Sequence, residues 1–291
     1  MGKKQWQLAV SLASWLVVAG LLRAELLVVQ GSDTLGSRAM PRLIDAFTRQ
    51  NPWVFFEFSA EGTTTGITGL IAGEVDLAMA SRSPLPSELV AAQRRGVRLE
   101  PITVAFDGIA LVVNELNPVM NLSLREIEWI FTGEVRDWAG VRGVPGPLSP
   151  YARNTASGTF TSFQELALRG RDYGARTMLL AGHEQITREV AANPQGIGYV
   201  GLGFLDTPGV HVLAIDGSPP TLAEILSGDY PLARPLFLMV NQAEVRPAVA
   251  RFMRFVLSRE GQQIMAASDF VPVRREAGSP PVAESEGHAG E

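Results

Sequence analysis

Apolar residues along this chain recur in two rhythms. Short β-rich runs at 26–30, 54–58, 75–81 and 102–114 alternate with stretches whose apolar positions return every three or four residues. Met40, Leu43, Ile44 and Phe47 share one face of a helix predicted over 38–51, and Asn51-Pro52 stops it. Another helix is predicted from the Gly/Thr turn at 61–67 through residue 72. Others are predicted over 84–95, 123–131, 157–169, 184–192, 221–227, 246–258 and 261–267. Ser123 with Glu126 three residues later forms a capping box. Residues 140–150, rich in Gly and Pro, are expected to be loop. "GIGYVGLGFL" (196–205) is expected to be a strand with glycine bends, and "PLFLMV" (235–240) a late β-rich run. The run at 102–114 is long and interrupted only by Asp107-Gly108, as suits a strand passing between two lobes. Strands alternating with helices predict an α/β fold with helices on both sheet faces. No internal repeat is evident.

The two ends of the chain read differently from its body. Lys3 and Lys4 precede an apolar run over 8–22 that ends in Leu22-Arg23-Ala24, the layout of a secretory signal peptide cut after Ala24. The alternative is an uncleaved anchor, but the run is shorter than the roughly 20 residues a spanning helix needs. No cysteine lies near the cut, which excludes a lipoprotein, and none lies elsewhere, so no disulfide forms. From residue 276 onward Gly, Ser, Pro, Glu and Ala dominate, and disorder is expected. The 291 residues allow one large domain or two lobes with full cores. A formal net charge of -5 argues against nucleic acid as a partner. It does not exclude a small anion, because local donors dominate their own site.

Three turns carry the same chemistry. Ser32 and Thr34 occupy the first, and Thr63, Thr64 and Thr65 the second; both lie between a predicted strand and a predicted helix. The third, "RNTASGTFTSF" (153–163), sets the Arg153 guanidinium four residues ahead of Ser157-Gly158-Thr159, where a helix is predicted to begin. A helix N-terminus has unpaired N–H groups and a partial positive charge. Glycine lets an oxyanion approach the backbone, hydroxyls add donors, and arginine adds a planar fork. A single such turn is more often simply a helix cap. Three of them with a guanidinium favour an oxyanion site.

Read in order, "QGSDT", "EGTTTGI" with "LIAGEVDLAMASR", "FDGIALVVN", "IFTGEVRDW", "RNTASGTFTSF", "PQGIGYVG" and "YPLARPLFL" resemble the periplasmic phosphate-binding proteins of ABC transporters, over about residues 26–270. The resemblance implies the two-lobed type II periplasmic binding fold. In that fold each lobe is a mixed sheet flanked by helices, and hinge strands cross between the lobes. Lobe 1 would comprise 25–104 and 231–275, and lobe 2 residues 105–230. It implies an exported, periplasmic and monomeric protein that captures inorganic phosphate without metal or cofactor, performs no catalysis, and delivers the ion to a permease powered by a separate ATPase. Carried over position by position, it implies phosphate ligands at Thr34, Leu35, Thr63, Arg153, Ser157, Gly158 and Thr159, with Ser32 a further candidate.

Two positions depart from the family pattern. Arg82 stands where some members have Asp, although an Arg form occurs in one branch. Thr155 stands where an acidic residue is often found between the Arg and the Ser-Gly-Thr. Such carboxylates accept the proton of hydrogen phosphate and penalise fully ionised anions, so preference for phosphate over sulfate is open. Glu61 or Asp107 could supply the acceptor, or be merely a solvated side chain and a hinge turn. Arg82 could reach the anion, or pair with Asp76, Glu61 or Asp107. Sulfate, another tetrahedral oxyanion or a phosphorylated metabolite is the alternative ligand. A phosphatase on the same cradle would need a metal set or nucleophile–base pair, which the spacing of His183, His211 and His288, expected in surface segments, does not supply. Gly31 and Gly36 have P-loop spacing without its lysine, and Gly196, Gly198 and Gly201 lack strand–turn–helix context. Trp129 and Trp138 are expected in the core.

Overall fold

The computed structural model describes residues 24–273, so the predicted signal peptide, Ala24 apart, and the predicted disordered tail lie outside the described residues. The first half of the chain runs β1 (Glu25–Gly31), α1 (Asp33–Gly36), α2 (Met40–Gln50), β2 (Val54–Ser59), α3 (Thr63–Ala72), β3 (Leu77–Ala80), α4 (Pro86–Arg94), β4 (Leu99–Asn114), β5 (Asn121–Leu122) and α5 (Leu124–Thr132). The remainder runs β6 (Ser149–Arg153), α6 (Gly158–Leu166), β7 (Met178–Leu180), α7 (His183–Ala192), β8 (Gly196–Gly201), β9 (Val210–Val212), β10 (Ala214–Ile215), α8 (Leu222–Ser227), β11 (Ala233–Asn241), α9 (Pro247–Val256), α10 (Arg259–Ala266) and β12 (Val271–Pro272).

The main sheet has the order β2-β1-β3-β11-β4-β8-β6-β7, with β12 and β9 also paired to β4. β1 pairs parallel with β2 and β3, and β6 parallel with β8 and β7. Between these parallel ends, β11 and β4 run antiparallel to each other and to their outer neighbours. The 16-residue β4 does not break at Asp107-Gly108 but changes partner there. Residues 99–108 pair with β11, and Ile109 onward pairs with β8. A strand with two sets of partners is how one chain serves two lobes.

Each half of the molecule, one on either side of the β4 partner change, has its own apolar core. Leu27, Val29, Leu43, Phe47, Leu238 and Phe252 pack together in one, where Phe252 meets Phe47 and Phe56 edge-on at centroid distances of 5.1 and 5.0 Å. Ile109, Leu111, Ile127, Phe131, Phe163 and Tyr199 pack in the other, where Phe163 stacks on Tyr199 at 3.9 Å. Full burial of such side chains stabilises the fold by roughly 1.5–3 kcal/mol each. Trp138 is buried and donates its indole N–H to Gln195 O at 3.1 Å, as a core residue should, while Trp129 is half-buried.

Most predicted elements form, with three differences that matter for the site. A one-turn helix, α1, stands where a turn was expected. β6 takes over the end of the expected loop and runs on to Arg153. β11 begins at Ala233, so Arg234 lies within it. The Ser123–Glu126 capping box forms as expected, with reciprocal bonds of 3.2 and 2.9 Å.

Gly31 ends β1 at φ +134°, and a Cβ there would collide with the Met79 backbone carbonyl. Only glycine allows the chain to turn into α1 while β1 stays paired to β3. Gly31→Ala is expected to cost at least about 2 kcal/mol, read as a lowered midpoint in urea unfolding; an unchanged midpoint would contradict this role.

Candidate functional site

Four helix N-termini meet where the two halves touch. α1 brings Thr34, α3 brings Thr63, α6 brings Ser157 to Thr159, and α7 brings His183. The Thr34 hydroxyl lies 3.3 Å from the Thr159 hydroxyl and 3.0 Å from His183 Nε2. Thr64 N–H donates to Ala156 O at 3.1 Å, which joins α3 to the loop before α6. A Cβ on Gly158 would collide with Thr63 Oγ1, so the approach of α6 to α3 requires glycine. Thr34, Leu35, Thr63, Ser157, Gly158 and Thr159 are all buried. In α1, the N–H groups of Thr34 and Leu35 precede any turn that could supply an intrahelical acceptor.

Two of the hydroxyls, Ser157 and Thr63, are held by acceptor bonds that leave their own protons available to donate. Ser157 Oγ accepts from Thr159 N–H at 3.1 Å, capping α6, and Thr63 Oγ1 accepts from Ser81 N–H at 3.0 Å. Ser32 Oγ and Ser81 Oγ are hydrogen-bonded to each other, and Ser162 Oγ donates to Ser81 O at 2.9 Å.

Arg153 is the last residue of β6 and is 1 % exposed. Its backbone N–H donates to Tyr199 OH at 3.2 Å, and Tyr199 OH lies 2.9 Å from Tyr173 OH, so the aromatic stack fixes the strand end. Its Nη2 donates to Ala181 O at 2.8 Å, and Nη1 lies 3.1 Å from Asp33 Oδ2 as an ion pair across the two halves. Nε and Nη1 are buried with no hydrogen-bond acceptor. Burial lowers the Arg153 pKa, with Asp33 and then Tyr199 acting against that and Arg234 adding to it; an arginine remains charged throughout.

The other charged candidates are engaged. Asp107 is fully buried in β4. Its Oδ2 receives Arg234 Nη2 at 2.8 Å and Nε at 3.3 Å, and its Oδ1 receives Leu202 N–H at 3.2 Å. Burial pushes the Asp107 carboxyl up, and Arg234 offsets only part of this. Asp107 thus holds Arg234, whose Nη2 reaches Thr34 Oγ1 and whose Nη1 reaches Ser81 O, both at 3.4 Å. Arg82 pairs with none of Asp76, Glu61 or Asp107. It grips Glu88 with two bonds of 2.7 Å and donates to Thr64 Oγ1 at 3.1 Å, while Asp76 pairs with Arg246. Glu61 is exposed, unlike every other candidate. A groove of about 230 Å³ lined by Ser81, Arg82, Ser162, Glu165 and Arg234 adjoins the cluster.

Three participants were not anticipated from the sequence. Arg234 lies inside "YPLARPLFL", where the signal for it is that a lone arginine in an apolar strand needs a buried partner. Asp33 was read as a turn residue. His183 was expected on the surface and is fully buried, stacked on Phe204 at 4.5 Å, with its backbone N–H 3.3 Å from Asp33 Oδ2. Burial holds its imidazole well below the usual histidine range, and Arg153 and Arg234 push the same way. His211 is half-buried, its Nε2 2.9 Å from Val119 O, and His288 lies outside the described residues. The cluster therefore concentrates N–H and O–H donors, three paired arginines and a neutral imidazole around helix N-termini, an arrangement suited to holding an oxyanion.

Comparison with known proteins gives the same direction. A sequence profile of the PBP superfamily domain matches residues 22–260. The phosphate-binding protein PstS of Pseudomonas aeruginosa is 30% identical over 266 residues, covering 84% of this chain and 81% of the relative. A phosphate ABC-transporter substrate-binding protein from Clostridium perfringens, solved with bound phosphate, superposes with a TM-score of 0.79 at 28% identity, covering 86% of this chain and 100% of that one. An ABC-type phosphate transport receptor from Vibrio cholerae superposes at 0.72 with 26% identity, over 84% and 99%.

The buried imidazole makes stability depend on acidity. The unfolded chain binds a proton at His183 near the ordinary 6.5, whereas the folded chain does so only at lower pH. Its contribution is therefore intact above about 6.5 and is lost as pH falls below that, by at most about 1.4 kcal/mol per pH unit. Urea unfolding at pH 7 and pH 5 is expected to show a larger loss for the wild type than for His183→Phe. Equal losses would contradict a neutral, buried His183.

Proposed function

Because the chain belongs to the PBP superfamily and, within it, to the phosphate-binding proteins of ABC transporters, we propose that it captures inorganic phosphate between its two lobes and delivers it to a membrane permease. The family is one of solute-binding proteins rather than enzymes. The observation that carries the proposal is Arg153, whose buried Nε and Nη1 lack acceptors in the midst of hydroxyl and helix N-terminal donors. An oxyanion seated against the Nε–H edge of Arg153 satisfies that group and takes further bonds from Thr34, Leu35, Thr63, Ser157, Gly158 and Thr159. Ser32 is tied to Ser81 and acts behind this set. Arg82 is engaged by Glu88, and its role is to fix the turn carrying Thr64.

A charge-assisted hydrogen bond contributes about 1.5–3 kcal/mol net, and micromolar affinity requires about 8.2 kcal/mol. A handful of such bonds meets that need without metal and leaves a surplus for dehydrating the anion and closing the lobes. A division into two lobes is supported by the partner change at Gly108-Ile109 of β4 and by a core on either side of it, and we place lobe 1 at 25–104 with 231–275 and lobe 2 at 105–230. Export to the periplasm, work as a monomer and a partner permease with a separate ATPase complete the proposal.

Selectivity depends on which carboxylate can accept the proton of hydrogen phosphate. Glu61 is exposed and Asp107 is occupied by Arg234 and Leu202. Asp33 is engaged too, by Arg153 Nη1, the His183 N–H and the Ser37 hydroxyl, but it faces the guanidinium that would hold the anion and is the better placed acceptor.

Calorimetry of the purified chain with phosphate and with sulfate tests these assignments. The wild type is expected to bind phosphate at micromolar or tighter affinity. Arg153→Ala is expected to weaken binding at least 100-fold, and Asp33→Asn to narrow the gap between phosphate and sulfate. Unchanged affinity in Arg153→Ala refutes the site, and unchanged preference in Asp33→Asn refutes the acceptor.

A further inference from the structure

We propose that His183 is a positioning residue for anion capture, its Nε2–H holding the Thr34 hydroxyl oxygen so that the Thr34 proton points at the bound oxyanion. This inference rests on the phosphate reading above and adds a residue from a different turn and a different half of the chain.

The hydrogen-bond inventory at Thr34 carries the argument. A hydroxyl has one proton to give and two lone pairs to fill. Arg234 Nη2, which can only donate, lies 3.4 Å from Thr34 Oγ1 and takes one lone pair. His183 Nε2 lies 3.0 Å away on the opposite half of the molecule. With the proton on Nε2, the imidazole fills the second lone pair, and the Thr34 proton is left for the Thr159 hydroxyl at 3.3 Å or for a ligand. With the proton on Nδ1, Nε2 would instead consume the Thr34 proton, and Thr34 would have nothing to donate to an anion.

The surroundings select between these tautomers. Nδ1 is buried and has no partner. A buried N–H without an acceptor is rarer in native proteins than an under-used acceptor atom, which favours the lone pair on Nδ1 and the proton on Nε2. The ring is fixed by its stack on Phe204 and by its place at the first position of α7, where its backbone N–H meets Asp33 Oδ2 at 3.3 Å. The charged groups around it, Arg153 and Arg234 against Asp33, would repel a third cation more than they would attract it. A neutral imidazole therefore supplies directional bonding where a lysine or a charged histidine would disrupt the cluster. Because Thr34 follows β1 and His183 follows β7, strands near opposite ends of the sheet, the same bond forms only when the two halves come together.

The test combines phosphate calorimetry on the full-length protein with nitrogen NMR of the histidine ring. His183→Phe keeps a planar ring against Phe204 but removes the donor, and phosphate affinity is expected to fall about tenfold. His183→Gln, which restores an N–H donor, is expected to recover part of the loss. In a Thr34→Val background, His183→Phe is expected to have no further effect. Ring nitrogen shifts in the wild type are expected to report the Nε2–H tautomer. Full phosphate affinity in His183→Phe, an undiminished tenfold loss in the Thr34→Val background, or the Nδ1–H tautomer would each overturn the inference. The tautomer measurement needs no variant, so it decides even if His183→Phe fails to fold. A wild-type chain that binds no phosphate would instead overturn the functional reading, and this inference with it.

Discussion

The Arg153 guanidinium, buried to 1 % exposure with Nε and Nη1 lacking acceptors, is the constraint around which the site is organised. Burying a cation is costly unless other groups compensate. Here the compensation is partial: one backbone carbonyl, Ala181 O, and one carboxylate, Asp33, reached across the junction of the two halves. The strand that ends at Arg153 is pinned by the Tyr199 hydroxyl and the aromatic stack beneath it, so the side chain cannot swing out to water without disturbing a core. A rigid, under-satisfied cation is a preorganised anion receptor, because the protein has met the cost of ordering it before any ligand arrives.

The rest of the architecture brings donors to that point. Parallel pairing of β1, β2 and β3 places the loops after β1 and β2, and with them the first turns of α1 and α3, at one edge of the sheet. Parallel pairing of β6 with β8 and β7 does the same for α6 and α7 in the other half. β4 joins the two by exchanging partners at Gly108-Ile109, and Asp107 sits beside that exchange, gripping Arg234 from β11. The hinge is thereby tied to the site: Arg234 reaches Thr34 and the Ser81 carbonyl from a strand that belongs to the crossing.

What was legible in the sequence was local. Hydroxyls, glycines and an arginine near helix starts are contiguous signals, and so is the Ser123–Glu126 capping box. The α/β alternation followed from apolar rhythm. What was not legible depended on long-range pairing. Asp107 and Arg234 are 127 residues apart, and neither announces the other until β4 lies beside β11. His183 follows Ala-Gly and precedes a polar helix face, a context that reads as surface until α7 is packed against the start of α1. β6 and β7 were missed because strands of 5 and 3 residues give too little periodicity to stand out from Gly/Pro-rich neighbours.

Electrostatically, the cluster is close to balanced before any ligand enters, since Arg153, Arg234 and Arg82 face Asp33, Asp107 and Glu88 respectively. In the proposed reading, anion binding relies on directional donors and helix N-termini more than on net charge, which agrees with a chain whose overall charge is -5. The most direct measurement is a crystal structure of the protein grown with phosphate. The account predicts a tetrahedral anion with an oxygen about 3 Å from Arg153 Nε, and within reach of the Thr34, Thr63 and Thr159 hydroxyls. An anion bound elsewhere, with Arg153 Nε turned to water or to another protein group, would contradict it.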